Sequence, residues 1–135
     1  MLRCFVLGRC ENGSWFDHVL EWWEVAQADP KHVMFLRYED MHARPEEHIR
    51  KIADFVGISY TPEVIKKTVA ASTISAMKQN PKANIMEKQN HLRKGGVGGW
   101  RDVFTVRESE AFDRIYRQQM KGSGLTMNFG GGVEF

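Results

Sequence analysis

Charge of one sign, long apolar runs and cysteine are all scarce in this sequence, and each shortage removes a class of function. Its 19 lysines and arginines stand against 17 aspartates and glutamates, a formal charge of +2 over 135 residues. A nucleic-acid footprint normally shows as a clearly basic domain, so the balance argues against nucleic-acid binding. No apolar stretch approaches the length that spans a bilayer, and the opening MLRCFVLGRC holds no sustained apolar region, so no membrane or secretory role is expected. Only two cysteines are present, Cys4 and Cys10, in no metal or redox spacing, which makes a reducing, cytoplasmic setting the expectation. His42 and His48, with Glu46 and Glu47 between them, lack metal-ligand spacing on one face; they read as a solvated helix start, and no metal is expected. Missing too is the common phosphate cradle, G-x-x-x-x-G-K-[ST].

What is there points to a phosphate all the same. The stretch RKGGVGGW, residues 93–100, opens on two cations and places four glycines in five positions. Glycines let backbone N–H groups approach an anion, and Arg93 and Lys94 would neutralise it. Composition, at 42% apolar and 27% charged residues, is that of one ordinary globular domain.

Periodicity supplies the frame. Ser14 with Asp17 reads as an N-terminal cap for a helix in which Trp15, Val19, Trp22 and Ala26 form one apolar stripe, ended by Pro30. The helical spacing of Trp15, Trp22 and Trp23 marks them as core rather than base-stacking platforms, and His18 on the same helix as structural. Residues 32–38 are short and rich in β-formers, the pattern of a buried strand. Pro45 opens a helix whose face holds Ile49, Ile52, Ala53 and Val56, with Gly57 as its stop. Thr61-Pro62-Glu63 starts another, to about Ser72, and residues 72–99 read as a long ordered loop over a site. Thr105 with Glu108 caps a last helix carrying Phe112, Ile115 and Gln119 or Met120, closed by Gly122, before a frayed tail. Four helices and one strand leave that strand without partners for its backbone groups, so its neighbours are expected from a larger fold.

Four motifs in register carry a resemblance. GSWFDHV (residues 13–19), YEDM (38–41), MKQNP (77–81) and RKGGVGGW followed by FT occur in this order at fitting distances. Together they resemble the C-terminal part of the cytosolic sulfotransferases, over residues 1–128, with residues 129–135 as a flexible tail. The fold so implied is α/β, the C-terminal portion of a P-loop-kinase-like parallel sheet with flanking helices. The function implied is transfer of a sulfonate from 3′-phosphoadenosine 5′-phosphosulfate (PAPS) to a hydroxyl or amine of a small acceptor, by in-line displacement.

By the same resemblance, Arg93, Lys94 and Gly95 grip the donor's 3′-phosphate, while Tyr38, Ser72 and Ile74 border its adenine. Ile74 stands where the family carries an aromatic ring, and Gly99 where it usually has Asp; the second change is expected to loosen the loop. A dimer segment is implied at Arg101, Thr105, Val106 and Glu110. The family's phosphosulfate loop and catalytic histidine have no counterpart in the sequence, so no catalytic residue is assigned and the isolated chain is expected to be inactive. The alternative is a non-catalytic nucleotide-binding or dimerisation module that pairs with a full-length sulfotransferase.

Overall fold

The computed structural model describes residues 5, 8–9, 11, 13–83, 92 and 94–129. The chain divides into two compact units, one formed by Met1–Phe35 with Trp100–Phe135 and the other by Leu36–Gly99.

Among its described residues the first unit pairs two long helices. Helix α1, Trp15–Ala28, starts where the Ser14 hydroxyl accepts the Asp17 N–H at 3.3 Å, and it ends two residues ahead of Pro30. Its buried face differs from the expected stripe. Phe16, Val19 and Ala26 are buried and Trp23 packs beside them, whereas Trp22 is 49% exposed. The stripe runs through position 16 because Phe16 meets the last helix edge-on to Trp15 and stacked near Phe112. That last helix, Val106–Gln119, carries Phe112 and Ile115 as expected, and also Tyr116, which is fully buried.

Phe16, Val19, Tyr116, Met120 and Leu125 form the core. Phe129 lies against this core as well, its ring 5.3 Å from that of Tyr116, so the chain is packed to that residue; residues 130–135 of the expected tail lie outside the described residues. Two indole N–H groups stitch the unit together. Trp23 donates to the Ser123 carbonyl at 2.9 Å, and Trp100 to the Phe129 carbonyl at 3.0 Å.

Among the described residues the second unit is a run of four helices, each packed on the next: α2, Tyr38–Ala43; α3, Pro45–Phe55; α4, Pro62–Ala71; and α5, Ile74–Gln79. The helix of the first unit at Val106–Gln119 is therefore α6. Pro45 and Pro62 occupy first-turn positions, where a missing N–H costs nothing. Gly57 takes φ +72° to end α3, as the sequence suggests. Salt bridges one helical turn apart, Arg50 to Glu46 at 2.9 Å and Lys51 to Glu47 at 2.6 Å, line the exposed face of α3. On so exposed a face, solvent screening leaves such pairs little weight in stability.

Three expectations change here. Residues 33–37 belong to no regular element, and Tyr38 opens a helix instead of closing a strand. Arg37 keeps an extended backbone, φ −97° and ψ 131°, but among the described residues no strand stands ready to pair with it. The expected parallel sheet thus has no counterpart among the described residues. Second, the loop expected over residues 72–99 contains α5, started by the Thr73 hydroxyl accepting the Ala76 N–H at 3.3 Å. Third, His48 is no solvated residue: it is 5% exposed. Its Nδ1 donates to the Arg44 carbonyl at 2.9 Å, which satisfies the ring where it is buried and ties α3 to its own entry.

Candidate functional site

Five of the six expected nucleotide-site residues fall in the second unit's described part, and their positions follow from local chemistry. At the end of α4, Ser72 turns its hydroxyl back onto the Thr68 carbonyl at 2.8 Å, while its N–H reaches the Thr68 and Val69 carbonyls. Serine competes well for such orphan carbonyls, and the helix stops there. Thr73 follows, donating to the Ala70 carbonyl at 3.1 Å and capping α5. Ile74 is then the first residue of α5, half-buried.

Gly95 meets Ile74. It adopts φ +64°, and a β-carbon built on it would lie 2.8 Å from Ile74 Cβ, 3.0 Å from Cγ1 and 3.2 Å from Cδ1. A β-branched or even an alanine residue could not occupy this position without displacing its neighbour. Lys94 beside it is exposed. A left-handed glycine next to a cation, both open to solvent, presents a backbone N–H and a positive charge, the elements of an anion site. Arg93 lies outside the described residues, as do Ile85 and Met86 of the preceding stretch.

Tyr38, the first residue of α2, is 54% exposed, with its ring 6.0 Å from that of His42. The Arg37 guanidinium pairs with Asp40 on the same turn, which fixes the entry to α2. The sequence alone assigns Thr73 no capping role, yet its hydroxyl bonds the end of α4 and starts α5. A threonine ahead of a short apolar and amphipathic run was the available signal.

The segment expected to pair two chains is ordered and exposed. Arg101 lies in a 3₁₀ turn, Gly99–Asp102, with its guanidinium 4.8 Å from the Trp100 ring. Thr105 and Glu108 form the expected capping box: the hydroxyl of Thr105 accepts the Glu108 N–H at 3.3 Å, and the Glu108 carboxylate accepts the Thr105 N–H at 2.9 Å. That N–H, followed by the Thr105 hydroxyl, holds the Glu108 carboxyl below its ordinary range. Val103 is 69% exposed, Val106 is 76% exposed, and Glu110 is also exposed.

Among the described residues no group of three His, Cys, Asp or Glu is placed to hold a metal ion, and no helix is long and apolar enough to cross a membrane.

Similarity to known proteins bears on the family and the fold. Residues 1–124 match the model of a family described as the sulfotransferase domain. The chain is 38% identical over 130 residues to rat sulfotransferase 1C2, covering 90% of this chain and 43% of that protein. It is 39% identical over 134 residues to mouse sulfotransferase 1A1, covering 93% of this chain and 45% of that protein. The chain thus spans less than half the length of these curated relatives. Among solved structures, mouse sulfotransferase SULT7A1 complexed with PAP superposes with a TM-score of 0.80 at 32% identity, over 91% of this chain and 47% of that one. A retinol dehydratase in complex with retinol and PAP superposes with a TM-score of 0.84 over 93% of this chain and 39% of that one; at 24% identity it speaks for the fold alone. With the family match running through nearly its whole length, the chain belongs to the sulfotransferase family.

Proposed function

We propose that this chain carries the nucleoside and 3′-phosphate part of the donor site of a PAPS-dependent sulfotransferase acting on a small hydroxyl or amine acceptor in the cytoplasm. The observation that carries the reading is the Gly95 cradle, where the absence of a side chain is enforced both by φ +64° and by the nearness of Ile74. The residues present fit the nucleotide. Lys94, Gly95 and, by the family resemblance, Arg93 supply charge and backbone donors for the 3′-phosphate, while Tyr38, Ser72 and Ile74 flank its adenine. Hydrogen bonds to a charged partner contribute about 1.5–3 kcal/mol each, so loss of Lys94 is measurable. The donor, when bound, supplies the sulfonate. The residues of this chain bind and orient it, and the isolated 135-residue chain is expected to show no transfer.

Calorimetry with adenosine 3′,5′-bisphosphate and with adenosine 5′-monophosphate tests this directly. The bisphosphate should bind the 135-residue chain more tightly, and Lys94→Ala should reduce the difference by about tenfold or more, since each 1.4 kcal/mol is a factor of ten. Equal affinity for the two nucleotides would remove the 3′-phosphate site from this chain.

A second component of the proposal is pairing of two chains through Arg101, Thr105, Val106 and Glu110. Its support is the exposure of Val103 and Val106 beside a capped, ordered helix start. Such a small patch gives a weak interface. Light scattering across a concentration series should show a dimer that Val106→Asp abolishes, and a wild-type chain that stays monomeric at high concentration overturns it. Dimerisation only with a full-length sulfotransferase would favour the non-catalytic pairing module.

A further inference from the structure

We propose that Ile74 is a positioning residue for the phosphate grip, acting through the Gly95 backbone rather than only as a wall for the base. The inference rests on the nucleotide reading above and deepens it. Three atoms of Ile74, its Cβ, Cγ1 and Cδ1, fill the space where a side chain on residue 95 would stand. Gly95 in turn holds a backbone conformation that a residue with a β-carbon rarely adopts. A side chain packed there therefore sets how far the 94–95 backbone can sink toward α5.

Ile74 suits the task for three reasons. Its β-branch leaves few rotamers, so the surface under Gly95 is stiff. Its backbone is fixed at the first position of α5, whose start is pinned by the Thr73 hydroxyl through Ala70 and Ala76. And α5 packs on α4, so the support is anchored in the unit rather than in the loop. The consequence is a mechanical link between the end of the site that faces the nucleobase and the end that faces the 3′-phosphate. A smaller residue at position 74 lets the glycine backbone settle, and the N–H and the Lys94 charge then lie out of register with the phosphate.

The test compares two affinities in each variant, for adenosine 3′,5′-bisphosphate and for adenosine 5′-monophosphate, with thermal melts alongside. Ile74→Val keeps Cβ and a γ-carbon, two of the three supporting atoms, and should leave the ratio of the two affinities within about twofold of wild type. Ile74→Ala keeps only Cβ. It should lower the ratio by about tenfold, the scale of one charge-assisted hydrogen bond, beyond any loss at the base that the two nucleotides share. If Ile74→Ala weakens both nucleotides equally, Ile74 serves the base or the fold alone and the positioning role is overturned. If Ile74→Val drops the ratio as far as Ile74→Ala does, the stiff-support account is overturned too. A wild-type chain that does not distinguish the two nucleotides refutes the underlying nucleotide reading, a result separable from both of these.

Discussion

Three glycines of one loop should respond to alanine in opposite directions. Gly95 sits at φ +64° with Ile74 Cβ 2.8 Å from any added β-carbon, whereas Gly96 and Gly99 have no atom within 4 Å of theirs and no left-handed backbone. At position 95 the left-handed conformation costs a residue with a β-carbon about 1–2 kcal/mol. Displacing Ile74 adds about 1–3 kcal/mol, the usual range for overpacking, so Gly95→Ala should cost about 2–5 kcal/mol. At positions 96 and 99 alanine restricts the unfolded chain without straining the folded one, and should stabilise by about 0.4–1 kcal/mol. Urea unfolding followed by far-ultraviolet circular dichroism reads both signs, provided the denaturant slope stays constant across variants. Bisphosphate binding read in parallel separates local settling of the loop from global loss of stability. The reasoning fails if Gly96→Ala or Gly99→Ala destabilises as much as Gly95→Ala, or if Gly95→Ala changes neither stability nor binding. The same logic bears on the family difference at position 99: an exposed site in a 3₁₀ turn accepts a β-carbon, so Gly99→Asp should leave folding intact.

Two other outcomes follow from the first unit. Phe16 is 2% exposed and packed among Trp15, Phe112 and Tyr116, so Phe16→Ala should cost about 3–5 kcal/mol and shift the urea midpoint accordingly; a loss under about 1 kcal/mol would contradict the core assignment. Glu108 has a folded-state pKa below its ordinary 4.5, so its capping contribution is present above that value and lost as pH falls through the lower, folded one. The melting-temperature gap between wild type and Glu108→Gln should therefore be widest near neutrality and close under acid, and a gap that widens instead would reverse the sign of the capping effect.

Helix starts were the most legible features of the sequence, because each is fixed by one or two residues acting locally. Ser14, Pro45, Thr61 with Pro62, and Thr105 with Glu108 all begin helices where their chemistry demands. Burial was less legible, since it depends on what lies opposite. Phe16 displaced Trp22 from the expected stripe only because Phe112 and Tyr116 come to meet it from the far end of the chain. The β-rich run at 33–37 shows the same limit from the other side: strand propensity has no effect without a ladder to join, and none is offered among the described residues. Within the candidate site, the glycine loop was visible as composition. Its contact with Ile74 was not, because the two are separated by a stretch whose path no periodicity announces.

The split of the first unit across the chain gives protein synthesis a fixed schedule. Trp23 and the Ser123 carbonyl that receives its indole N–H are 100 residues apart. At roughly 5–20 residues per second, α1 leaves the ribosome about 5–20 s before the segment that completes its core. The helices of the second unit, built from neighbours in sequence, can close in that interval. Over the same seconds Trp15 and Phe16, which Phe112 and Tyr116 later cover, wait without their partners, whereas Trp23 already has Phe35.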